Sequence, residues 1–176
     1  MTSHWMAGGA VILCCAASWW DLRTRRIPNA LTLPALVIAL CLHGALGAGQ
    51  GLLLSLQGAA VAGLILLPGY LLRFTGAGDV KLLIAVGAFL SYPLALKAAL
   101  ASLLMGGAIG LFTALRYRRL GEVLANSLGL ARWLAHRAAG APMSEPATSS
   151  LRVPFGVAIA LATAVTLFIP RVGGAQ

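Results

Sequence analysis

The chain carries only four carboxylate side chains, Asp21, Asp79, Glu122 and Glu145. The two glutamates fall in a polar segment, whereas the two aspartates abut long apolar runs. Ionisable groups at membrane depth are costly to keep and point to function. Two carboxyls in close contact cannot both ionise cheaply, so they share a proton and titrate as a unit. One member can then take a proton from water while the other donates to a carbonyl oxygen, which hydrolyses an amide without a metal or a covalent intermediate. Taken singly, each aspartate also has a plainer reading. Asp21 could be a helix-end carboxylate paired with Arg23 or Arg25, and Asp79 could be the N-cap of the helix that follows it.

The surroundings of Asp79 favour chemistry. Thr75-Gly76-Ala77-Gly78-Asp79-Val80-Lys81 sets two glycines just before an expected helix start, where backbone can take positive φ and another chain can come close. A phosphate-binding loop would need a preceding strand and a longer glycine fingerprint, so nucleotide is not an expected ligand. Lys81, two positions from Asp79, lies on another side of the helix. It is either a snorkelling cation or a contact for an acidic group of the substrate. Cys14, Cys15 and Cys41 sit inside apolar runs without zinc-site spacing, which predicts inert thiols, no metal and no cofactor.

These residues must be positioned by helices in lipid. Of 176 residues, 60% are hydrophobic and 10% charged, against about a quarter charged in a soluble domain. Mean hydropathy is +0.91. A water-soluble enzyme, a disordered tail and a compact nucleic-acid-binding domain are all excluded, despite a net charge of +9. A span needs about 20 apolar residues. Candidates are 5–20, 30–47, 51–72, 80–90, 94–115 and 153–169, an all-α bundle of six transmembrane helices forming one membrane-embedded domain over 1–176. The first span has no basic residue ahead of it and is expected to be retained. With the N-terminus outside, eleven basic residues (Arg23, Arg25, Arg26, Arg73, Lys81, Arg116, Arg118, Arg119, Arg132, Arg137 and Arg152) fall on or near the cytoplasmic face, and only Lys97 and Arg171 remain outside. If Trp5 and Tyr92 anchor their spans at the outer interface, Asp21 lies about 24 Å and Asp79 about 20 Å inward, a common depth near the cytoplasmic side.

The polar segment 116–152 begins with Leu120, Val123, Leu124, Leu128, Ala131 and Leu134 at helical spacing, which predicts an amphipathic helix along the inner leaflet. A flexible linker is expected over 140–150. Glycines within the spans, among them Gly106, Gly107 and Gly110, are expected to let helices approach closely. No internal repeat stands out.

Three motifs carry a family resemblance. Asp21-Leu22-Arg23-Thr24-Arg25-Arg26-Ile27-Pro28-Asn29 resembles the first aspartate box of the type IV prepilin peptidases, Gly76-Ala77-Gly78-Asp79-Val80-Lys81 resembles their G-x-G-D-x-K box, and Val153-Pro154-Phe155-Gly156 is similar to a third signature. Among members, short chains from tight-adherence (Flp-type) pilus systems are the most similar. The resemblance implies an aspartic endopeptidase of the bacterial inner membrane that removes the basic leader of prepilins or pseudopilins at the cytoplasmic face. Asp21 and Asp79 would be its catalytic pair. It further implies that Pro28, Asn29, Gly76, Gly78, Lys81, Pro154, Phe155 and Gly156 bind substrate or shape the active site. Pro28 and Pro154 could also simply start helices in the first turn. Larger members also methylate the new N-terminus and carry an insert with paired C-x-x-C motifs. The loop between the first two spans here is only about nine residues, so neither methyl transfer nor zinc is expected.

Two other readings use the same residues: a proton-coupled transporter with the aspartates as a relay, and a noncatalytic subunit of a pilus or secretion machine. The sequence leaves the oligomeric state open. Its charge asymmetry makes a direct prediction of topology. In a variant lacking the native cysteines, a thiol introduced by Ser144→Cys should resist impermeant maleimide applied to intact cells and react once the membrane is opened. Efficient labelling from outside would invert the orientation.

Overall fold

The computed structural model describes residues 4–24, 26–71, 75–118 and 155–168, with positions 121, 125, 128, 129, 132 and 136. Among these residues the regular elements are helices: α1 (His4–Thr24), α2 (Asn29–Leu71), α3 (Ala77–Leu90), α4 (Leu94–Arg116) and α5 (Phe155–Phe168). Three of them, α1, α2 and α4, are long and apolar enough to cross a membrane. The all-α membrane bundle expected from composition is what the chain forms. The shorter α3 and α5 have 14 residues each, or about 21 Å of rise.

The 43 residues of α2 are interrupted at Ala48, with φ 47° and ψ −137°. In an unbroken helix, residues eight apart are separated by about 12 Å. Here a β-carbon on Gly51 would overlap the His43 carbonyl, so the chain has doubled back. The break falls between the expected spans 30–47 and 51–72, and α2 is a hairpin of two limbs.

The second limb runs antiparallel to α3. Pairs along it fall in step: Ser55 Oγ donates to the Ala88 carbonyl at 2.8 Å, Gly58 meets Gly87, Gly63 meets Ile84 and Gly69 meets Thr75. α1 also runs antiparallel to α3, with Gly9 near its start against the Phe89 ring near the end of α3. α3 touches each of the other four helices, which makes it the central element. It is accordingly buried from Leu82 onward at nearly every position.

Packing is inverted relative to a soluble domain. Alanines dominate the core (Ala10, Ala17, Ala39, Ala62, Ala85 and Ala98 among them), while leucines such as Leu46, Leu64 and Leu104 and the rings of Trp5 and Phe168 face outward. Lipid is as apolar as leucine, so large side chains gain nothing by turning inward, and association rests on close backbone approach. Hydroxyls inside helices satisfy themselves one turn back: Ser102 donates to Ala98 and Thr113 to Ile109, each at 2.7 Å. Gly106 fits the expected packing role, but Gly107 does not, since nothing lies within 4 Å of the space its β-carbon would fill.

The expected amphipathic helix and linker lie outside the described residues except at positions 121, 125, 128, 129, 132 and 136, which are helical. Glu122 and Glu145 lie outside them too.

The Gly58–Gly87 contact generates a stability prediction. A β-carbon on Gly58 would overlap the Gly87 carbonyl, and one on Gly87 would sit 2.7 Å from Ala62 Cβ. Gly58→Ala or Gly87→Ala should destabilise the detergent-solubilised protein by about 1–3 kcal/mol. Gly8→Ala, with open space around it, should leave thermal unfolding unchanged or raise its midpoint, because alanine is the better helix former.

Candidate active site

Asp21 ends the buried stripe of α1. Met6, Ala10, Leu13, Cys14, Ala17 and Asp21 recur at helical spacing on one face, and Asp21 is only 6% exposed. A carboxylate there needs a donor, and α5 supplies one. The Gly156 amide, in the first turn of α5, donates to Asp21 Oδ2 at 3.1 Å, at the positive end of the helix. No larger residue fits: a β-carbon on Gly156 would lie 2.9 Å from that oxygen and 3.3 Å from Asp21 Cβ and Cγ.

Two contacts seat α5. Phe155 packs into the notch left by Gly106 of α4, whose β-carbon would overlap the ring. Ser18 Oγ of α1 donates to the Gly156 carbonyl at 3.4 Å. Thus Phe155 and Gly156, expected to shape a substrate cleft, make their visible contacts with α4 and with Asp21. Pro154 lies outside the described residues.

Asp79 is not the N-cap of α3, as one reading of the sequence had it. The cap is Gly76, in extended conformation at φ −79° and ψ 153°, and Asp79 is the third residue of the helix. Its carboxylate reaches back to accept the Gly76 amide at 2.9 Å, while its own amide donates to the Gly76 carbonyl at 3.1 Å. A β-carbon on Gly76 would stand 3.1 Å from Asp79 Oδ2, crowding that bond. Nor does either glycine adopt the positive φ expected of the motif. Gly78 is a helical residue whose missing side chain admits Ile27: an added β-carbon would be 3.2 Å from Ile27 Cβ and 3.4 Å from its carbonyl oxygen. Close approach, not an unusual dihedral, is what the second glycine provides.

The fold brings the two aspartates together. From the contact of Gly9 with Phe89, Asp21 is about 18 Å along α1 and Asp79 about 15 Å along α3. They therefore arrive at one level, and their carboxyls act on each other electrostatically. Each carboxylate accepts a glycine amide at a helix start. Such a pair can share a proton, hold a water and protonate a carbonyl oxygen.

The connection from α1 to α2 crosses the first turns of α3. Pro28 precedes α2 by one residue instead of starting it, and its carbonyl accepts the amides of Leu31 at 3.0 Å and Thr32 at 3.4 Å. Lys81, exposed, donates from Nζ to Asn29 Oδ1 at 2.9 Å. Arg23 lies over the Trp19 ring, 4.4 Å from its centroid. Arg116 closes α4, ten residues beyond the Gly106 notch, so Arg23, Arg26, Lys81 and Arg116 gather at the aspartate end and Lys97 at the other. Cys14 is buried, Cys15 and Cys41 face outward, and all three are free thiols. Among the described residues no cluster of three or more His, Cys, Asp or Glu side chains could hold a metal.

Sequence reasoning did not single out Ser18, and it placed Ile27 only within a motif and Gly106 only among the packing glycines, without their partners Gly78 and Phe155. For Asp21 the stripe itself was a signal, since it continues the small-residue face of α1. The Gly156 seat yields a prediction. Gly156→Ala should push the Asp21 carboxylate off its donor and lower any turnover that uses it by about tenfold or more, with membrane insertion and thermal stability retained. Gly107→Ala, on the neighbouring helix but in open space, is the control that should keep wild-type turnover.

The model of the type IV leader peptidase family matches residues 9–111, a stretch that contains both aspartates and the glycines before Asp79 but ends ahead of Phe155 and Gly156. No curated protein and no solved structure gives a significant match. With more than half of its length matched and the two aspartates brought to one level, the chain belongs to the type IV leader peptidase family.

Proposed function

We propose that this leader peptidase is an aspartic endopeptidase in which Asp21 and Asp79 are one catalytic unit, acting on prepilins or pseudopilins of the Flp type at the cytoplasmic face of the inner membrane. The observation that supports this reading is that α1 and α3 bring two carboxyls to one level of the bundle, each accepting a glycine amide at a helix start. In this reading α1, both limbs of α2, α3, α4 and α5 are six spans, and the gathering of arginines at the aspartate end supports a cytoplasmic site. A prepilin offers a basic leader, then a glycine, then a long apolar segment. The apolar part would lie in lipid beside the bundle and the leader in the cytoplasm, so the scissile bond would stand at the level of the dyad. Pro28, Asn29, Gly76, Gly78, Lys81, Pro154, Phe155 and Gly156 would frame it.

One carboxylate accepts a proton from water as the water oxygen attacks the scissile carbonyl. The other, protonated, donates to the carbonyl oxygen. The resulting gem-diol collapses as a proton passes to the leaving nitrogen, and the dyad is left with one shared proton as at the start. Neither a cofactor nor methyl transfer enters this scheme.

Asn preserves shape but cannot exchange the proton. Asp21→Asn and Asp79→Asn should each lower prepilin cleavage by about 10³-fold or more in correctly inserted protein, and the double variant should be no worse than either single one, because groups acting as a unit are not additive. Glu122→Gln and Glu145→Gln should cleave at wild-type rates. Purified protein with a leader-bearing substrate is the direct measurement. Near wild-type cleavage by either asparagine variant would remove the dyad mechanism and leave a transporter or scaffold role.

A further inference from the structure

We propose that Lys81 and Asn29 form a clamp that fixes the distance between the two aspartates, so that Lys81 is a positioning residue and not a substrate ligand. The inference rests on the peptidase reading and assigns a role within the same site.

The α1–α2 connection starts just after Asp21 and ends at Asn29. Two contacts attach it to α3. The buried Ile27 side chain packs on Gly78, where an added β-carbon would be 3.2 Å from Ile27 Cβ. The exposed Lys81 ammonium donates to Asn29 Oδ1 at 2.9 Å. Gly78 and Lys81 are three apart and so share one side of α3, while Asp79 lies between them in sequence with its carboxylate bonded back to the Gly76 amide. The connection is thus attached both before and after Asp79, one contact apolar and the other polar.

A lysine bound only to solvent would tolerate any neighbour. This one instead spends a charge-assisted bond on a neutral amide at the first residue of α2, which ties the start of α2 to the second turn of α3. The Lys81–Asn29 bond adds a second point of attachment to the Ile27–Gly78 contact, on the other side of Asp79 in sequence. A displacement of about 1 Å between reacting groups costs up to about 10²-fold in rate, so a hydrogen bond of modest net strength can have a large effect on turnover through geometry.

The test is a double-variant cycle on purified protein in vesicles with a leader-bearing substrate. Lys81→Ala and Asn29→Ala should each lower kcat about tenfold and leave KM within about twofold, and the double variant should match the single ones. In a background with Cys14, Cys15 and Cys41 replaced, Asn29→Cys with Lys81→Cys should be bridged readily by a short reducible bis-thiol linker. Bridging should restore turnover and reductant should abolish it again. If Lys81 instead binds substrate, its loss raises KM, the two substitutions add, and the bridged protein stays slow; any of these overturns the clamp. Linker closure needs no activity, so a wild-type protein that cleaves nothing would count against the peptidase reading, while failure of the linker to close would count against the clamp.

Discussion

A carboxylate withdrawn from water has to be met by fixed donors, and the arrangement of this bundle follows from that requirement. Asp21 is buried and Asp79 half-buried, yet each accepts an amide from a helix start, Gly156 in one case and Gly76 in the other. Amides in the first turn of a helix have no partner within it, so they can be given to an acid without breaking the helix. Two helices must therefore begin at the level of the dyad. α3 and α5 do so, and both are shorter than the helices around them.

Bringing those helix starts to the acids requires backbones to come closer than ordinary side chains allow. The glycines that matter are the ones whose absent β-carbon is occupied by something else: Gly156 by Asp21, Gly78 by Ile27, Gly106 by Phe155, Gly58 by Gly87. Glycines with open space around them sit directly beside crowded ones in the same helices, Gly8 next to Gly9 in α1 and Gly107 next to Gly106 in α4. Composition does not separate the two groups, because the distinction is made by the partner helix. The alanine-rich core reflects the same physics, since lipid supplies no drive to bury leucine and association depends on contact at short range.

The third motif shows how a local signature gains its meaning from a distant element. Phe155-Gly156 looks in sequence like the opening of a span near a substrate cleft. In three dimensions the ring enters a notch in α4 and the glycine amide holds Asp21, 135 residues away in sequence. Adjacent residues thus make two distant contacts, the Phe155 ring with α4 and the Gly156 amide with α1. Lys81 is similar. Its helical offset from Asp79 is legible in sequence, but its partner, Asn29, belongs to a different helix 52 residues earlier.

The sequence by itself determined the solvent and the candidates. With four acids in an apolar chain, the cost of charge in lipid singles out Asp21 and Asp79, and helical rise puts them at one depth. The uncharged turn near Ala48 and the clustering of arginines with the aspartates were also legible, because turn chemistry and charge are properties of short segments. What tertiary structure decided is which surfaces meet. That α1 lies beside α3, that α5 begins under Asp21, that Gly76 and not Asp79 caps its helix, and that Ile27 fills the space at Gly78 all depend on contacts between segments far apart in the chain. In lipid those contacts are made by small residues at ångström range, and small residues carry almost no pattern from which a partner can be read.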